Sequence, residues 1–342
     1  MAAVKWLLIE LFGGKGGKPM SVIGWGRTPK NFVPLDQILR HRTTLAQARD
    51  AIADAITGHG RIDRVSADGS RRTIAVPLAI SPDRLHGVML WCGDPRDQVP
   101  PRDPAGAWYF NYTEGTSTRS DDLLDLYGIT REGRSDIYRH SIADVFTQVH
   151  ANLTDQSEAL ARIVREEIGT ETQQIWTVRR DDGELRAAHF SCRLLEELST
   201  AGERQVVLRG ITHDIGPADD IPAAPPPTIL EHRVLEAAAE EGEYRGIVNL
   251  RTLRLLRWMG TPAPGIAWQG LTGQPAPAIH PDDLPTATAM ATGLRHGRTS
   301  GEVRVRTLDG GWTRLHIKAA LMMLDESTTA ALVTVRLPES AL

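Results

Sequence analysis

The chain has 342 residues, 41% hydrophobic and 24% charged, enough to bury ordinary cores and to form two or three domains. A net charge of -4 and a pI near 6.3, with Lys and Arg spread evenly, leave no basic face for nucleic acid. The two cysteines, Cys92 and Cys192, exclude a disulfide framework and a cysteine-only structural zinc site, and they suit a reducing cytoplasm.

In chain order, residues 6–12 are apolar but short and carry Glu10, so they predict a strand and neither a membrane span nor a leader. The Gly-Lys run at 13–19 lacks the spacing of a phosphate loop, since Phe12 and Pro19 stand where Gly and Ser or Thr are required. It predicts a hairpin connection to a second strand over 21–25. A helix is expected over 36–57, with Ile38, Leu45, Ala48, Ile52 and Ala55 on one face. Strands over 61–66, 72–80 and 85–91 then form an antiparallel meander.

Prolines cluster at Pro95, Pro100, Pro101 and Pro104, and again from Pro217 to Pro227, dividing the chain into thirds. The expected domains are 1–97, 104–216 and 229–342, with linkers at 95–104 and 217–228, the second a stiff spacer holding its neighbours apart. In the middle third, Trp108, Phe110 and Tyr112 alternate onto one strand face. A helix over 135–150 is expected to carry His140 and Asp144 on one face, in a solvated or capping role. Asp182-Gly183 marks a hairpin between strands at 174–178 and 185 onward, and 206–215 is the closing strand.

In the last third, a helix over 230–239 has an apolar stripe at Leu230, Val234, Leu235 and Ala238, which packs on its own domain or pairs two chains as a homodimer. A strand over 244–250 follows, and Asp282 and Asp283, after His280-Pro281, can cap a helix that stops at Gly297. Val303, Val305 and Thr307 alternate with Arg304 and Arg306, Asp309-Gly310-Gly311 turns the chain, Trp312 opens the return strand, and 331–335 is the last strand.

The order helix, strand, Asp-Gly turn, strand, loop, strand resembles the C-terminal half of a Per-ARNT-Sim (PAS) sensor domain, and it occurs twice, around Gly183 and around Gly310. The whole layout resembles actinobacterial proteins that combine one GAF-like domain with two PAS domains and no effector. That resemblance implies an α+β chain of three sensor domains, each a central antiparallel sheet flanked by helices. The first third is similar to GAF, or to a further PAS domain. Its implied role is non-catalytic sensing or scaffolding, acting in trans on an unknown signalling protein, with a small ligand possible.

Large aromatics usually fill cores, and that is the first expectation for Trp108, Phe110, Tyr112 and Trp176 in the middle copy and Trp268 and Trp312 in the last; if a small ligand binds, these are the candidates to wall its pocket. His189 and His316 each lie six residues past their turn glycine and are the candidates to face a pocket. No cofactor is predicted. A haem-binding sensor is the alternative, for which one of these histidines would be the axial ligand. Neither cysteine has the setting of a photoactive flavin site, and no catalytic set emerges from His140 with Asp144, His213 with Asp214, or His280 with Asp282 and Asp283.

Overall fold

Alternating apolar residues and Asp-Gly turns become three antiparallel sheets in the computed structural model, which describes residues 4–13, 20–58, 60–130, 139–148, 153–165, 167–221, 242–271 and 273–337. The first domain contains β1 (Leu7–Glu10), β2 (Ser21–Trp25), β3 (Thr28–Pro34), β4 (Ile62–Val65), β5 (Arg72–Ser81) and β6 (Arg84–Gly93), in the order β3-β2-β1-β6-β5-β4. The middle domain contains β7 (Ala105–Asn111), β8 (Thr116–Arg119), β9 (Arg139–Ser141), β10 (Glu171–Arg179), β11 (Leu185–Leu198) and β12 (Arg204–Pro217), in the order β10-β11-β12-β7-β8-β9. The last contains β13 (Glu243–Val248), β14 (Leu255–Met259), β15 (Thr299–Arg306), β16 (Trp312–Met323) and β17 (Thr329–Arg336), in the order β14-β13-β17-β16-β15. In each sheet the first strand pairs with the last: β1 with β6, β7 with β12, β13 with β17.

The Asp-Gly turns are where expected. Gly183 (φ +87°) and Gly310 (φ +86°) sit in the left-handed region that side chains avoid. In the first domain the helix expected over 36–57 is two, α1 (Leu35–Ile38) and α2 (Arg42–Gly58), because Leu39 leaves the helical region at ψ 81°. Strand β3 escapes sequence reasoning because Pro29 and Pro34 break its pattern, and it is tolerated because it is an edge strand. The small residues Ala48, Ala51 and Ala55 let α2 approach one face of the sheet closely.

The opposite face of that sheet packs on the middle sheet, where Leu8, Ile23, Met89 and Trp91 share one apolar cluster with Ala105 and Ile211. This sheet-on-sheet seam also holds polar groups. His86 Nδ1 meets the Gly210 carbonyl at 3.2 Å, and Arg193 reaches Glu10 at 3.4 Å and Glu171 at 2.7 Å.

In the middle domain α3 (Asp121–Leu126), α4 (Ile142–Gln148) and α5 (Leu153–Arg165) lie on the other sheet face. The single helix expected over 135–150 is corrected to β9 followed by α4, its residues 135–138, 149 and 150 lying outside those described. Ser141 explains the late start, since its Oγ accepts the Asp144 backbone N–H at 3.1 Å as an N-cap.

The last domain carries α6 (Leu284–Gly293). The helix expected over 230–239 and most of the second proline cluster lie outside the described residues. The domains on either side of that linker are nonetheless not held apart. Leu160 and Ile163 of α5 belong to one buried cluster with Ile247, Leu256, Leu324 and Ala330 of the last domain, because the apolar stripe of α5 needs cover. The Ser141 N–H donates to the Gln269 carbonyl at 2.5 Å, and Arg165 pairs with Asp325 at 3.2 Å.

Candidate functional site

Strand register assembles one continuous row across the middle sheet: Thr172, Cys192, Gly210, Trp108 and Arg119 lie directly opposite one another through β10, β11, β12, β7 and β8. Opposed residues share a sheet face, so all five look toward the helices. Between this face and the helical side lies a cavity of about 520 Å³, within the range of roughly 300–1,000 Å³ that small-molecule sites occupy. Trp108, Phe110, Tyr112 and Trp176 all line it, as do Phe190, Leu194 and Leu208 from the sheet and Val145, Ala159 and Ile163 from α4 and α5. Alternation fixes the aromatic wall, with Trp108 tilted on Phe110 and Trp176 on Phe190, each pair at 4.9 Å between centroids.

The row has one glycine for a steric reason. A Cβ on Gly210 would meet the Trp108 ring at about 2.1 Å, so the indole lies flat over this strand. Trp108 Nε1 and Trp176 Nε1 have no hydrogen-bond partner, although each residue is 8% exposed. Arg119 is 6% exposed and makes no side-chain hydrogen bond or ion pair among the described residues. Burial is the main cause pushing its pKa below the usual guanidinium value, with Tyr127 and Asp144 acting the other way at longer range. Composition gave no hint of Arg119, and the sequence signal that could have found it is its i, i+2 spacing from Ser117, which puts both on one face of β8.

His189 lies on the opposite face of the sheet, 3% exposed in the seam with the first domain, opposite His213. Desolvation pushes both histidines down to about 4, and His86 in the same seam down to about 3, so all three are neutral there. His316 is exposed on β16. Trp268 packs edge-on to Trp258 at 6.3 Å in the last domain's core. Trp312 is half-buried between the His280 ring at 4.7 Å and the Arg306 guanidinium at 3.9 Å.

Of the capping residues, His280 alone caps, its Nδ1 accepting the Asp282 N–H at 3.3 Å. Asp283 makes no side-chain cap bond to α6; instead its carboxylate takes Arg304 Nη2 at 2.8 Å and the Arg304 backbone N–H at 2.7 Å, which holds it well below the usual range. Asp282 sits 3.4 Å from the same guanidinium.

His140 and Asp144, expected in a solvated or capping role, are buried, with His140 Nδ1 donating to Asp144 Oδ2 at 2.6 Å. Ser117 faces His140 in register, yet Ser117 Oγ and His140 Nε2 are both unpartnered, and none of the three residues lines the cavity. Neither His189 nor His316, the candidates for an axial haem ligand, is among the described lining residues of this cavity, and burial pushes the Cys192 thiol up to about 12, away from its thiolate form.

Three family models match the chain: Rv3651-like, N-terminal, over residues 5–101; Rv3651-like, middle domain, over 104–214; and Rv3651-like, C-terminal domain, over 228–341. An uncharacterized protein from Mycobacterium tuberculosis, solved by crystallography, is 24% identical over 99% of this chain and 98% of its own, with a TM-score of 0.80, so the fold is shared. A sensory box histidine kinase/response regulator from Burkholderia thailandensis covers 40% of this chain and 88% of its own at 17% identity and a TM-score of 0.25. No curated protein matches the sequence. Among the described residues no helix is long and apolar enough to cross a membrane.

Proposed function

From the premise that the chain belongs to the Rv3651-like three-domain family, we propose that it is a non-catalytic ligand-responsive scaffold acting in trans on a partner protein. Its middle domain takes a small molecule and its neighbours carry the response. The carrying observation is that helices walling the cavity are also the helices packed on the last domain. Val145 of α4 and Ala159 and Ile163 of α5 line the cavity, while α4 packs on β14 and α5 on β17. A ligand that changes the set of these helices therefore has a direct mechanical path to the third sheet.

The repeated arrangement of strands and Asp-Gly turns supports reading the middle and last domains as two copies of one PAS-like sensor fold. The first domain, with α2 on one face of its sheet and the middle domain on the other, is read as a GAF-like platform. The burial of His140 and Asp144 away from the cavity supports a binding role over catalysis.

Filling the cavity from within tests the coupling. In Leu208→Trp the added ring occupies the cavity, and amide exchange in β14 and β17 is expected to slow relative to wild type. Exchange that changes in the middle domain alone would remove the proposed path.

A further inference from the structure

The chemistry of the lining narrows the ligand, and the step rests on the cavity being a ligand site. Five arginines and two carboxylates are among the described lining residues: Arg119, Arg162, Arg165, Arg179 and Arg180 against Glu167 and Asp181. Most of the cations toward the rim already have partners, Arg162 with Glu158 at 3.2 Å, Arg165 with Asp325 at 3.2 Å and Arg180 with Asp182 at 3.1 Å. Arg119 differs from them in being both deeply buried and without an ion pair among the described residues. Asp144, which acts on it at longer range, is engaged by His140 and by Gln269 Nε2 at 3.3 Å.

A buried guanidinium without a counter-ion is costly, and buried polar groups are ordinarily satisfied. Directly opposite Arg119 in the β7–β8 ladder is Trp108, whose Nε1 is a second unpartnered buried donor. We propose that the middle-domain cavity binds a small monocarboxylate with an apolar body, its carboxylate held by Arg119 and its body against Phe110, Phe190, Leu194 and Leu208. A carboxylate matches the guanidinium fork in a bidentate pair. One buried cation balances one negative charge, which favours a monoanion over a phosphate dianion. The apolar wall requires the rest of the molecule to be hydrocarbon, aromatic or aliphatic.

The test uses decanoate and naphthoate, each beside its neutral alcohol, decanol and naphthylmethanol, with binding to the intact chain read by tryptophan emission and calorimetry. The acids are expected to bind about tenfold or more tightly than the matching alcohols, the scale of one charge-assisted hydrogen-bond set. Arg119→Met is expected to erase that difference while leaving the alcohols unchanged. Alcohols binding as tightly as the acids, or an acid preference that survives in Arg119→Met, overturns the carboxylate assignment and leaves the cavity as a site for neutral ligands. Failure of all four probes to bind overturns the assignment and the ligand-site reading together. Should Arg119→Met not fold, the acid-to-alcohol comparison on the unaltered chain decides.

Discussion

Gly210 and Arg119 set the character of the cavity from opposite sides of Trp108. Any side chain at 210 displaces the indole, so Gly210→Ala is expected to destabilise the chain by about 1–3 kcal/mol, measured by urea unfolding, and to shift tryptophan emission. Arg119→Met removes a buried, unpaired charge, and without ligand the variant is expected to be more stable than the parent by ~1–4 kcal/mol. A loss of stability would mean that Arg119 is satisfied in the folded chain. That Trp108, Phe110 and Tyr112 share one face was legible in the sequence, because they alternate along the strand, whereas alternation alone left open whether they fill a core or wall a cavity. The polar end was not legible, since β8 is only four residues long and its register with β7 is a tertiary fact. His189 illustrates the same limit: Phe190 and Cys192 line the cavity, and the residue beside them necessarily faces the first domain.

Helix α5 links the cavity to the last domain, with one side on each. Leu160, 1% exposed and in the cluster both domains share, is expected to cost about 2–5 kcal/mol when replaced by Ala, and amide exchange in β17 should rise with it. An unfolding loss without change in β17 would confine Leu160 to its own domain. Elements with strong periodicity and turn chemistry were readable, as at β2, β15 and β16, where Gly310 needs positive φ and Trp312 opens the strand. Elements set by edges and caps were not: β3 reads as a loop because of its prolines, and β9 reads as helix because Ser141 caps from outside the apolar pattern. Asp283 shows why cap and clamp are indistinguishable in sequence, since Arg304 lies 21 positions away.

At the scale of the whole molecule, two seams make three sheets act together. The seam between the first two domains holds His86, His189 and His213 neutral in a desolvated setting, with Arg209 and Arg84 near the first and Arg27 near the last. Their folded-state pKa values lie below the unfolded value, so this contribution is complete above about pH 6.5 and is lost as pH falls toward 4, at roughly 1.4 kcal/mol per pH unit for each histidine that takes up a proton on unfolding. Thermal midpoints are expected to drop over that window, and replacing His213 by Gln should flatten the drop; an unchanged slope would place the acid sensitivity elsewhere. The seam between the last two domains carries the cavity's helices, and it makes the middle domain the centre of the molecule.

A cavity built to be occupied should keep its ligand in native mass spectrometry of the intact chain after incubation with the small-molecule extract of the cells that make it, beside the cavity-filled Leu208→Trp variant. One small-molecule adduct per chain is expected, anionic in character and absent from the variant. A bare polypeptide mass for both, or an adduct that the variant retains, would contradict it.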